Sequence, residues 1–298
     1  MAETPTRCQW IGLEDACAAF VKAEYGVEGG HHIRPLHWYV ACRLVIEGGF
    51  FPDEIKPHTP FRVEEGRGGP RLIYDESVAN NSEATVFGGL KTKDIDVVVS
   101  KEGIGPCFAI SMKGSLNAFR NLTNRLEEAV GDCTNIHIAY PALVYGFMHL
   151  FRANREGPIP KNGASFLKPH PKTRHLLSAD TAITQDGAVT DFILNYSAAM
   201  ARLSGRRDLR NDVSRYEAVA LLLLHVENPI GGIFEGFPVA GHMLRFDGFF
   251  RTLLDQYDLR FVYGAPMLKA VSRRVFWAKD SPALADARMK DFVPRVAD

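Results

Sequence analysis

Short, dense runs of β-branched and apolar residues at 95–100 (IDVVVS) and 106–113 (PCFAISMK) flank the glycine-containing segment 101–105 (KEGIG), a pattern that predicts one β-hairpin. Directly opposed residues of an antiparallel pair share a face. A turn centred near Gly103 and Ile104 therefore sets Asp96 opposite Ser111 and Asp94 opposite Lys113, all four pointing one way. Ile95, Val97 and Val99 then share the other face with Phe108, Ile110 and Met112. From Ser115 to Val130 the period changes. Leu116, Phe119, Leu122, Leu126 and Val130 recur at three- and four-residue intervals, which predicts an amphipathic helix lying on the sheet. At about 100° per residue, Glu127 falls on the flank of that apolar stripe and Glu128 nearly opposite it. Glu127 is thus the acid expected to reach back to the sheet end, with Arg120 two turns earlier on the same flank.

Further elements follow from the same patterns. Residues 36–47 read as a helix ended by Gly48 and Gly49, and 135–140 (NIHIAY) as a short strand after a break at Gly131 and Asp132. Residues 190–203 and 246–256 read as helices, 218–225 and 259–263 as strands, separated by loops rich in Pro and Gly. The expected architecture is α/β: a mixed sheet flanked by helices over residues 1–155, with additional helices and strands in 156–298 that extend the core or form a sub-domain.

The 298 residues are 46% hydrophobic and 23% charged, enough for a sizeable core and unlike a disordered chain. The formal net charge of zero weighs against a nonspecific nucleic-acid coat but allows a local basic groove. Cysteines at 8, 17, 42, 107 and 133 have no zinc-finger spacing, and an odd number without a signal peptide points to reduced thiols in a cytoplasm. His31, His32 and His37 have no partners at metal spacing and are expected as surface or loop histidines. No run is long enough to span a membrane.

The order aspartate, hairpin, Ser111-x-Lys113, helix resembles the core of the PD-(D/E)XK nuclease superfamily, which includes many restriction endonucleases and the archaeal Holliday junction resolvases. IDVVVS followed by FAISMKGS is similar to the resolvase-type signature, except that Ser111 stands where a carboxylate is usual. One restriction-enzyme branch shares that departure and replaces the acid with a helix-borne glutamate fourteen residues after the lysine, the spacing of Lys113 and Glu127. The resemblance implies a restriction endonuclease-like fold and Mg²⁺-dependent hydrolysis of double-stranded DNA, with a type II enzyme acting as a homodimer as the leading expectation. Asp96 and Glu127, with Asp94 as a further acid, would hold Mg²⁺; Lys113 would orient the attacking water, and Ser111 would support it by hydrogen bonding. Glu47 could add another acid, whereas Pro52-Asp53-Glu54 lacks a following strand and lysine and reads as a decoy. Arg120, Lys168, Lys172, Arg174, Arg206, Arg207 and Arg210 are candidate phosphate or base contacts. A structure-selective repair nuclease and a non-catalytic DNA-binding protein are the alternatives. Each charged residue alone reads equally well as an ordinary surface group; their joint placement carries the expectation.

Overall fold

The computed structural model describes residues 7–24, 32–117, 119–159, 165–167, 170–227 and 229–297. In chain order its helices are α1 (Leu13–Val21), α2 (Arg34–Ile46), α3 (Leu122–Ala139), α4 (Asp191–Leu203) and α5 (Phe249–Tyr257), besides shorter 3₁₀ and π segments. The strands are β1 (Ile55–Lys56), β2 (Phe61–Gly66), β3 (Gly69–Tyr74), β4 (Ala84–Phe87), β5 (Thr92–Ile95), β6 (Val97–Lys101), β7 (Gly105–Ser115), β8 (Val144–Arg152) and β9 (Ala218–Leu224). A five-stranded mixed sheet in the order β1-β6-β7-β8-β9 forms the centre, antiparallel on the β1-β6-β7 side and parallel across β7-β8-β9. Two separate hairpins, β2-β3 and β4-β5, accompany it. The fold is therefore α/β with a mixed sheet.

Strand alternation divides the core in two. Val97, Val99, Phe108, Ile110, Met112, Met148 and Leu222 pack with apolar residues of α1, α2 and α5 on one face. Val98, Ala109, Tyr145, Phe147, Val219 and Leu221 pack with α3 and α4 on the other. Both parallel strands are buried along their whole length, as expected of a sheet covered on both sides. Residues beyond 155 supply α4, β9 and α5, so they complete the sheet and both helical layers.

The β6-β7 hairpin forms where the apolar runs place it, with Val97 paired to Ile110 and Lys101 to Gly105 around a turn in which Gly103 has φ 71°. One face assignment changes. The chain bends at Asp96, so Ile95 joins the α3 side with Val98, while Asp94 pairs with Thr85 in the β4-β5 hairpin instead of lying opposite Lys113.

Two strands expected from the sequence are helical. Residues 135–139 are the last turns of α3, because Cys133, Ile136 and His137 fill its buried stripe at helical spacing and Gly131 stays exposed without ending the helix. Residues 258–263 continue α5 as a π-helix, with Phe261 buried and Arg260 reaching inward.

Helical continuation at 135 has a structural use. Buried Asn135 accepts from the backbone N–H of Leu90 (2.8 Å) and Lys91 (3.0 Å) and donates to the Lys91 carbonyl (2.9 Å), fixing the tip of the β4-β5 hairpin to α3. A side chain at Gly88 would collide with Asn135, its Cβ falling 2.1 Å from the amide nitrogen. Asn135→Ala leaves three backbone groups without these partners and should cost about 1–3 kcal/mol. Amide hydrogen exchange should show faster exchange at Leu90 and Lys91; unchanged protection there would contradict the anchoring role.

Candidate functional site

The β4-β5 hairpin ends at a small polar cluster. Because Ala84 pairs with Ile95, Glu83 and Asp96 stand at the hairpin's base, at the points where the chain enters and leaves it. Asp96 is oriented by the backbone: its Oδ2 accepts from the N–H of Met112 at 2.6 Å, the residue before Lys113. Its other oxygen, Oδ1, lies 3.4 Å from Nε2 of His37, in the first two turns of α2. His37 Nδ1 lies 4.0 Å from Glu83 Oε1. One donor atom from each of His37, Glu83 and Asp96 falls within 4.8 Å of the others, a set of one imidazole and two carboxylates able to hold a divalent cation.

His37 is not the surface histidine expected from the sequence. Helix α2 is enclosed over ten of its thirteen residues, so position 37 is interior and only 4% exposed, yet its Nε2 makes no hydrogen bond. A polar residue within the apolar run 36–42 was the available signal. The neighbouring Trp38 steadies the other side of the cluster, donating from Nε1 to Asn81 Oδ1 at 2.8 Å, two residues before Glu83.

The gathered set differs from the one expected. It contains Asp96 but neither Asp94 nor Glu127. Asp94 is exposed and accepts from the Thr85 hydroxyl at 2.6 Å. Glu127 is exposed on α3 and has no hydrogen bond or ion pair among the described residues. Glu128 is the helix acid in the field of Lys113. Burial opposes its ionisation, but a hydrogen bond from Arg125 and the charges of Lys113, Arg125 and Lys93 hold its carboxyl below the ordinary value. Lys113 itself is half-buried, and its ammonium has no hydrogen-bond or ion-pair partner among the described residues. Ser111 is buried and shares a 2.7 Å hydrogen bond with the Tyr145 hydroxyl. Glu47 caps the far end of α2, about 15 Å along the axis from His37, where it accepts from Arg43 (2.8 Å) and the Val293 N–H (3.1 Å). In the Pro52-Asp53-Glu54 segment, Glu54 pairs with buried Lys101 at 2.7 Å.

Of the expected basic contacts, Arg120, Lys172, Arg174, Arg207 and Arg210 are exposed, whereas Lys161, Lys168 and His31 lie outside the described residues. Arg206 is a correction. It is 1% exposed and faces Glu217 at 3.3 Å, because it belongs to a buried cluster rather than to a surface patch. In that cluster Glu217 also accepts from Arg260 (2.7 Å) and from the Tyr145 N–H (2.6 Å). Arg274 is likewise committed, to Asp258 at 2.6 Å.

Two imidazoles behind the sheet are held neutral. His149, on β8 beside Lys113, is hydrogen bonded at Nε2 to the Ser115 hydroxyl (2.9 Å) and at Nδ1 to the Tyr196 hydroxyl (2.7 Å). Burial first, then the charges of Arg125 and Lys113, lower its pKa to about 3. His137 is lowered to about 3 by burial and by Arg206. The unfolded chain binds protons at both sites below the ordinary histidine value of 6.5, whereas the fold keeps them off. Their contribution is therefore complete above pH 6.5 and is lost as the pH falls toward 3, at up to about 2.7 kcal/mol per pH unit for the pair. Urea unfolding at pH 7, 6 and 5 measures it; constant stability across that window would mean the histidines are protonated in the fold.

All five cysteines are buried free thiols, and no helix among the described residues is long and apolar enough to cross a membrane. No protein-family model, characterised protein or solved structure matches the chain.

Proposed function

We propose that the protein is a metal-dependent endodeoxyribonuclease built around Asp96 and Lys113, with a sequence-specific type II restriction endonuclease acting as a homodimer as the leading form. The observation that carries this reading is the 2.6 Å bond from the Met112 N–H to Asp96, which seats the carboxylate against the strand one residue before Lys113, a half-buried lysine with no hydrogen-bond or ion-pair partner among the described residues. The antiparallel hairpin followed by a helical crossover to a parallel strand agrees with the PD-(D/E)XK resemblance. Fold likeness alone does not assign chemistry, so the site residues bear the weight.

A phosphodiester is anionic and repels hydroxide, so its hydrolysis near neutrality needs a positioned water and stabilisation of the charge that develops on the phosphoryl oxygens. A bound divalent cation, expected from the sequence to be Mg²⁺, supplies Lewis acidity and lowers the pKa of water. Asp96, fixed by Met112, would hold the cation together with Glu83 and His37, which take the place expected of Glu127. The Lys113 ammonium orients the water and screens the phosphate, and it needs no neutral form to do so. Ser111 is committed to Tyr145 and serves as support for the strand. Exposed Arg120, Lys172, Arg207 and Arg210 are the cations available to the DNA backbone. Dimerisation follows from two-strand cleavage of a symmetric site by one centre per protomer.

Incubation with unmethylated phage DNA, with Mg²⁺ or Mn²⁺ and with EDTA, tests the reading. Discrete bands that require the metal are expected. Cleavage confined to flapped or branched substrates would instead mark a structure-selective nuclease, and intact DNA throughout would retire the enzymatic reading.

A further inference from the structure

We infer that His37, Glu83 and Asp96 form a binding site for a transition-metal dication of the Mn²⁺, Fe²⁺, Co²⁺ or Zn²⁺ class, with Mg²⁺ a poor occupant. This deepens the reading above by naming the ion at the same centre, but ion binding itself does not depend on any DNA cleavage.

The separation of Asp96 Oδ1 and His37 Nε2 is 3.4 Å. Two donors on one ion, each bonded at about 2.0–2.2 Å and subtending about 90–110°, stand about 3.0–3.5 Å apart. The observed distance fits that chord, and it is longer than the ordinary reach of an N–H···O hydrogen bond. His37 Nε2 is buried and without a hydrogen bond, a costly state for an imidazole nitrogen that an ion beside it would relieve. Asp96 presents one free oxygen because Met112 holds the other. Glu83 Oε1 comes nearest to the other ring nitrogen, Nδ1, at 4.0 Å, and its side chain is 40% exposed, so joining an ion at Nε2 requires it only to swing across the solvent side of the ring.

The donor types decide the ion class. An imidazole donor favours the later first-row metals most and Mn²⁺ least, so Mn²⁺ is the stringent probe of the class, whereas Mg²⁺ favours oxygen ligands and retained waters. A nitrogen ligand fixed by a buried helix is a selective element that an all-carboxylate site lacks.

The test is direct. Purified full-length protein, stripped with a chelator, is titrated with Mn²⁺ while the electron paramagnetic resonance signal of the free ion is followed. Saturable uptake of one ion per chain is expected, retained against an excess of Mg²⁺ of about a hundredfold. Glu83→Gln and His37→Gln should each weaken uptake by about tenfold or more. Glu83 is on the surface, so its variant reports even if His37→Gln fails to fold. No saturable uptake, wild-type affinity in Glu83→Gln, or displacement of Mn²⁺ by equimolar Mg²⁺ would overturn the inference. A chain that takes up Mn²⁺ but cuts no DNA keeps the ion site and loses the nuclease reading; a chain that cuts with Mg²⁺ and takes up no Mn²⁺ does the reverse.

Discussion

Under the proposed nuclease reading, Asp96→Ala and Lys113→Ala are each expected to lower DNA cleavage by about 10³-fold or more, because each would remove a charge that acts on the reacting phosphate. The two variants should differ in their other properties. Asp96→Ala removes a metal ligand and frees the Met112 N–H, so it should lose metal uptake as well as activity, with a modest loss of stability of about 1 kcal/mol. Lys113→Ala removes a cation with no partner of its own among the described residues, so fold and metal uptake should survive while cutting does not. DNA affinity should fall only slightly in either case, because the exposed arginines and lysines proposed to meet the backbone are untouched. Cleavage assays, metal titration and thermal melts on the same preparations separate these effects. Undiminished cutting by either variant would remove Asp96 and Lys113 from the centre.

The largest stability effect is expected at Glu217. Its side chain is fully enclosed, and one carboxylate satisfies Arg206, Arg260 and the Tyr145 N–H at the start of β8. Burial pushes its carboxyl upward, against the pull of Arg260, the Tyr145 N–H and Arg206. Glu217→Gln keeps the volume but leaves two buried guanidinium groups without a counter-charge. Breaking a buried ion pair on one side costs about 3–5 kcal/mol, a large share of a domain's stability. Urea denaturation measures it. A loss below about 1 kcal/mol would show that solvent reaches the cluster and compensates the arginines. Replacing Arg206 as well should recover part of the loss, since the second substitution removes one of the stranded charges.

The hairpin around Gly103, helix α2, helix α4 and the apolar run of β9 were all legible in the amino-acid pattern, whereas the helix expected from Ser115 starts only at Leu122, because β7 runs on through Ser115. Period, turn chemistry and length act locally, and these segments have little competing signal. The segments at 135–140 and 259–263, expected as strands, are helical for one reason. Short β-branched or aromatic runs suit either conformation, and the choice fell to what each segment met. Ile136 and His137 are carried against the sheet as part of α3, and Arg260 is carried to Glu217 by a helix that continues past Tyr257.

The candidate site divides in the same way. Asp96 and Lys113 could be singled out because residues on one hairpin have a register that sequence separation alone predicts. Their companions could not. His37 is 59 residues from Asp96 along the chain, on a helix whose burial depends on the packing of every layer, and Glu83 is 13 residues away across a hairpin that no turn pattern had marked. Asp94 and Glu127 were plausible by parity and helical phase, and the bend at Asp96 together with the orientation of α3 set them elsewhere. Likewise Arg206 reads as one of several surface cations in the sequence and becomes an interior ion-pair partner only once β9 delivers Glu217 beneath it. By itself the sequence determined the α/β class and the β6-β7 hairpin, since these rest on local periodicity and on one strand pairing. The tertiary structure decided which donors gather around Asp96, which charges are buried and which stay free, because those depend on packing between segments that are far apart in the chain.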